Sequence, residues 1–159
     1  MSNLNIQYGT SNQAITVTLA SLTSGSSRQS AVVDNSTNQF IDALVAVNIK
    51  SGASNTAANG YVAIYAYGTA DGGTDYTDGA TGSDAAFTPT SPTNLRLVGI
   101  INVVANAVTY KGGPFSVAAA FGGSLPQKWG IVVSNQSGGT LDATEGNFLK
   151  IYQGVYGQY

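Results

Sequence analysis

The sequence predicts an all-β fold, a single-domain antiparallel β-sandwich over residues 1–159. Three observations carry this. Apolar residues recur with a period of two. Clusters of Gly, Ser, Asn and Pro separate the periodic stretches at short intervals. No stretch sustains a helical period.

The strands follow in order. AITVTLASL (14–22) sets Ile15, Val17 and Leu19 against Thr16 and Thr18. FIDALVAVNIK (40–50) points Ile41, Ala43, Val45, Val47 and Ile49 one way, and Asp42, Asn48 and Lys50 the other. GYVAIYAYG (60–68) is apolar on both faces, with Tyr61, Tyr65 and Tyr67 on one. LRLVGIINVV (95–104) reads as a long strand with a bend at Gly99. PFSVAAAF (114–121), KWGIVVSN (128–135) and FLKIYQGVYGQY (148–159) complete the clear set, with VAAAF also compatible with one helical turn. Shorter candidates lie at 5–9, 30–34 and 107–111. Breaker clusters stand at 24–27, 51–60, 111–114, 121–126 and 136–140. Many short strands with Gly-rich turns mean a sandwich or barrel. The longest connection, 69–94, suits the crossover of a jelly roll, with an immunoglobulin-like sandwich as the alternative. Period-two patterning does not separate the two. Residues 1–13 read as an extended arm able to add a strand to a neighbour.

Composition narrows the function. Only 9% of the residues are charged, against about 25% in an average soluble domain. The net charge is −2 and the six Lys and Arg are scattered, so no basic stripe exists to neutralise phosphates and no nucleic-acid partner is expected. No apolar run approaches the ~20 residues of a membrane helix. MSNLNIQYGTSNQ lacks the basic and apolar regions of a secretory signal, so synthesis and retention in a cytoplasm are expected until lysis. A weakly charged polar surface suits a protein that packs beside copies of itself or onto a large partner.

The chain has no His and no Cys. Triads and thiolate centres are therefore excluded. The sole Glu, Glu145, stands near Asp142 in a turn, and no Gly-rich stretch ends as a phosphate loop must. The chain reads as non-enzymatic, with no cofactor.

Acid concentrates at ADGGTDYTDGATGSDA (70–85), which holds Asp71, Asp75, Asp78 and Asp84, half of the eight acidic residues. Carboxylates on a Gly-rich loop can hold calcium. Counted from Asp71, however, an EF-hand would need Gly at position six and Glu at position twelve, where Tyr76 and Gly82 stand. A non-standard metal site of Asp71, Asp75 and Asp78 stays open beside a solvated loop with Asp-Gly turns and a partner-binding loop. The expectation is a loop at a distal or lateral edge with no structural metal.

Tyrosine is the commonest aromatic, with nine copies. Tyr8, Tyr61, Tyr65, Tyr67, Tyr152 and Tyr156 are the candidate interface residues, since exposed Tyr rows form protein interfaces or stack on sugars. Core packing is the other reading. Trp129 reads as core or rim. The glycosylation patterns at Asn35 and Asn135 are discounted.

NIQYGTSNQAITVTLASL, YVAIYAYGTADGGTDYTDG and ATEGNFLKIYQGVY together resemble small structural proteins of tailed-bacteriophage virions. The resemblance implies a capsid decoration, or cement, protein on the capsid surface. It also implies a sandwich or jelly-roll subunit, often trimeric, with the major capsid protein as partner. A tail, baseplate or fibre-associated role and a carbohydrate-binding module with a Tyr-rich face, perched on a host glycan, are the alternatives.

Overall fold

The computed structural model describes residues 4–158. Its strands are β1 (Asn5–Tyr8), β2 (Gln13–Ala14), β3 (Ser27–Gln29), β4 (Val33–Asp34), β5 (Asp42–Lys50), β6 (Tyr61–Thr69), β7 (Ala85–Phe87), β8 (Arg96–Asn102), β9 (Thr109–Ser116), β10 (Lys128–Gln136) and β11 (Leu149–Gln158). One short helix, α1 (Val117–Ala120), follows β9. The strands form two antiparallel sheets, as the alternation predicts. The first runs β1-β11-β5-β9, with β2 continuing the β1 lane along β11. The second runs β7-β3-β10-β6-β8, with β4 continuing the β3 lane along β10.

The core lies between the sheets. In β5 every second residue is buried: Ala43, Val45, Val47 and Ile49. Across from them lie Val62, Ile64 and Ala66 of β6 and Trp129, Ile131 and Val133 of β10. Trp129 is fully buried and packs edge-to-face on Tyr152, with ring centres 5.2 Å apart.

Three sequence expectations change. The strand expected over 14–22 is only β2 and then an extended segment outside any ladder. Ile15, Val17 and Leu19 do alternate into the core, so the periodicity reports burial rather than pairing. The segment's N–H groups find other acceptors. Ile15 N–H donates to the Lys150 carbonyl at 2.9 Å. Thr18 N–H donates to Asp84 Oδ1 at 3.1 Å. Leu19 and Ala20 N–H both donate to Glu145 Oε2, at 2.8 and 2.7 Å. The second change is at 114–121, where the strand gives way to α1. Ser116 caps α1 by accepting from Ala119 N–H, and Asp42 Oδ1 accepts from Ala118 N–H at 2.8 Å. Third, the arm expected over 1–13 is built into the first sheet: β1 and β2 pair with β11 of the same chain. Residues 1–3 of that arm lie outside the described residues.

Glu145 thus joins the crossing segment to the start of β11, where it also pairs with Lys150. Burial pushes its carboxyl up, but the Lys150 ammonium and the two N–H donors outweigh this and hold it below the usual range. Glu145→Ala leaves both N–H groups without an acceptor in a partly buried place. A loss of about 2 kcal/mol is expected by urea denaturation, with Glu145→Gln, which keeps one acceptor oxygen, losing less.

Candidate functional site

The acidic segment is an ordered cover. After β6 the chain passes through a 3-10 turn (Thr77–Gly79), β7 and an irregular stretch before β8. On the way it crosses the outer face of the second sheet and buries a second apolar cluster. Tyr67, Ala80, Leu95 and Val132 are its buried members, and Tyr65, Tyr76 and Phe87 pack against them. Tyr67 stands over Gly130, where any Cβ would collide with its ring. Its hydroxyl donates to the Ser30 carbonyl at 2.7 Å, and burial pushes the phenol up to about 12.

The aspartates of this segment serve as acceptors for it. Asp71 accepts from the Thr69 hydroxyl and from the N–H groups of Gly73, Thr74 and Asp75. These bonds, led by Thr69, bring its carboxyl down to about 2. Asp78 accepts from the Thr90 hydroxyl and N–H, from the Thr93 hydroxyl at 2.9 Å and from Asn94 Nδ2 at 3.3 Å. Desolvation pushes Asp78 up, but these donors outweigh it and hold it at about 2. Asp84 binds Arg28 Nε at 2.6 Å and the Thr18 hydroxyl at 2.6 Å. The structure does not bring the open alternative, a metal set of Asp71, Asp75 and Asp78, together. Among the described residues no three acidic side chains come together to hold an ion, because Asp71 and Asp78 each turn to a different stretch of backbone.

The tyrosine row is also corrected. Tyr67 and Tyr152 are interior, 0% and 6% exposed, and cannot meet a partner. Tyr65 is half-buried against the second cluster. Tyr156 is half-buried beside Phe40, with ring centres 6.3 Å apart. Tyr61 and Tyr8 are exposed, but Tyr61 is in the second sheet and Tyr8 in the first. No continuous Tyr platform for a sugar is formed by these six.

What the structure does bring together is the outer face of the first sheet. Facing residues in a ladder share a side. Ile151 faces Ala46 of β5 and Ala14 of β2, Gln153 faces Leu44, and Leu149 faces Asn48. Tyr8 faces Val155, and Ile6 faces Gly157. None of these belongs to the buried β5 set, so together they form the side turned from the core. Leu4, Ile6, Tyr8 and Leu149 are exposed, and among the described residues no segment crosses this face as 70–94 crosses the other. Residues 1–27 and 151–159 contain no charged side chain. Apart from Tyr8, these positions are absent from the sequence-based candidates. Their signal is that LKIYQGV sets Leu149, Ile151 and Val155 on the face opposite to Tyr152.

An open groove of about 490 Å³ lies beside Gly68, Thr77, Phe121 and Pro126. No titratable side chain lines it. Comparison with protein-family models, with curated proteins and with solved structures finds no match for this chain.

The carboxyls held near 2 lie below their ordinary 3.8. Stability from them is complete above about pH 3.8 and is lost as pH falls toward 2. Thermal melts across this range should show that loss. Asp78→Asn at neutral pH should lower Tm by about 2–4 °C, roughly 1 kcal/mol after allowance for solvent screening. Chelator or added calcium should leave Tm where it is, and a shift of several degrees would contradict the hydrogen-bonded role of these aspartates.

Proposed function

We propose that this chain is a non-enzymatic structural protein of a bacteriophage virion: a decoration protein that seats on the assembled major capsid lattice and stabilises it. The observation that carries the reading is the asymmetry of the sandwich. Its second sheet is covered by the chain's own residues 70–94, while the first sheet leaves open an outer face whose β1 and β11 half is mostly apolar and uncharged, with Asp42, Lys50 and Lys111 on its β5 and β9 half. Exposed apolar patches of this kind mark interaction surfaces. A weakly charged subunit can be packed at high copy number without mutual repulsion.

The jelly-roll form of such subunits has support in the strand order. Among the strands of β1-β11-β5-β9 and β3-β10-β6-β8 the chain changes sheet at every step but that from β6 to β8, and the first strand lies beside the last. An immunoglobulin sandwich instead pairs its first strand with its second. The strand β7 is then an addition to the second sheet, carried by the covering segment.

The test uses empty capsids of the virus that encodes the chain. The protein should co-sediment with them and raise their heat resistance. Leu149→Glu, on the open face, should keep the fold and weaken capsid binding about tenfold or more, as expected for one central apolar contact. Capsids that neither bind the protein nor gain resistance would overturn the reading.

A further inference from the structure

β1 is the outer strand of the first sheet. Its backbone groups divide by alternation. Gly9 N–H donates to the Gly154 carbonyl at 2.8 Å, and Gly9 continues the register that pairs Gln7 with Tyr156 and Asn5 with Gln158. In an antiparallel ladder the residues that exchange hydrogen bonds alternate with those that do not. Asn5, Gln7 and Gly9 therefore bond to β11. Leu4, Ile6 and Tyr8 turn their N–H and C=O groups to the free edge.

The same three residues carry exposed side chains, at 54%, 51% and 56%. The strand reads Leu4-Asn5-Ile6-Gln7-Tyr8. Apolar, amide, apolar, amide and apolar residues follow one another, so the pattern is the same in both directions about Ile6. Nothing blunts this edge: residues 4–8 hold no Lys, no Pro and no charge.

We propose that two copies of this chain associate through β1, antiparallel, with the two-fold axis at Ile6. In that register Ile6 faces Ile6 of the second copy, Leu4 faces Tyr8, and Asn5 faces Gln7. Each facing pair at Ile6, Leu4 and Tyr8 exchanges its edge N–H and C=O groups, and all three pairs lie on one side of the new sheet. A slip of one residue would set apolar against amide positions along the strand. A slip of two would leave Leu4 or Tyr8 without a partner. No like charges meet across the axis, because the first charged residue of the chain is Arg28. The contact joins the two first sheets into one and leaves their open outer faces side by side. It is a two-fold contact, whereas the family resemblance implies a trimer, and it does not depend on the capsid reading.

Sedimentation equilibrium of the whole chain at about 100 µM tests it, since a contact of this small size is expected in the micromolar range. The expected mass is twice the 16.2 kDa of one chain. Ile6→Lys and Ile6→Glu each set like charges face to face and should give monomers with an unchanged circular dichroism spectrum. Mixing the two should restore a dimer, now of one Lys and one Glu chain. Should either charged variant unfold, Ile6→Pro makes the same test, because the Ile6 N–H it removes points away from β11. A wild-type monomer at this concentration would overturn the proposal. So would an oligomer of any size that Ile6→Lys or Ile6→Pro does not dissociate, or folded charged variants that stay monomeric when mixed.

Discussion

The hydrogen bond from a backbone N–H to a carboxylate is the interaction on which the rest of this sandwich depends. A sandwich whose chain keeps changing sheets must leave crossing segments outside both ladders, and their N–H groups need acceptors when they are buried. The chain has eight acidic residues, and seven accept hydrogen bonds within it. Glu145 and Asp84 hold the segment 18–20. Asp42 holds the start of α1. Asp71 and Asp78 fold the covering segment on itself. Bonds to ionised acceptors are about twice as strong as neutral ones, so few carboxylates suffice. Asp75 is the exception among the described residues.

These bonds make the two faces of the molecule different. Asp71 tightens the turn after β6, Asp78 ties Thr77–Gly79 to Thr90 and Thr93, and Asp84 anchors the far end to Arg28 of β3. The segment so shaped lies over Tyr67 and Val132, and this burial is what makes β6 and β10 apolar on both sides. The first sheet has β11 with Leu149, Ile151 and Val155 on its outer side and, among the described residues, no such cover. Its outer face is the counterpart of the surface that 70–94 protects.

The strands were legible because burial alternates along them, as in Ala43, Val45, Val47 and Ile49. The same signal misled at 14–22. Ile15, Val17 and Leu19 are buried at period two, but the N–H groups of Ile15 and Leu19 go to Lys150 and Glu145, which lie more than a hundred residues away, and pairing cannot be read from one segment alone. Tyr67 and Tyr152 look like members of surface rows because parity groups them with Tyr61, Tyr65 and Tyr156. What buries Tyr67 is the covering segment, and Tyr152 faces Trp129. Both depend on tertiary placement. The density of Asp at 70–85 was plain, yet its meaning lay in donors such as Thr18 and Arg28, remote in sequence. The edge of β1 is the reverse case. Its palindromic pattern is local and visible, but it gains significance only once β1 is known to end a sheet.

Engagement of the charged groups within the fold also shapes how this protein meets others. Beyond the carboxylates, Arg28 and Lys150 are paired to Asp84 and Glu145, Lys128 stands 4.0 Å from Asp34, and Lys50 Nζ donates to the Ala107 carbonyl. The surface offered to a neighbour is thus made mostly of amides, hydroxyls, apolar side chains and strand edges such as β1, with Asp75, Arg96 and Lys111 as exposed charges. Long-range charge steering is weak for such a surface, so encounters are governed by ordinary diffusion and not accelerated at low salt. Once made, contacts of buried apolar area and paired backbone carry little electrostatic screening. Any association of a molecule built this way is expected to vary little with ionic strength, because most of its charges are engaged within the fold.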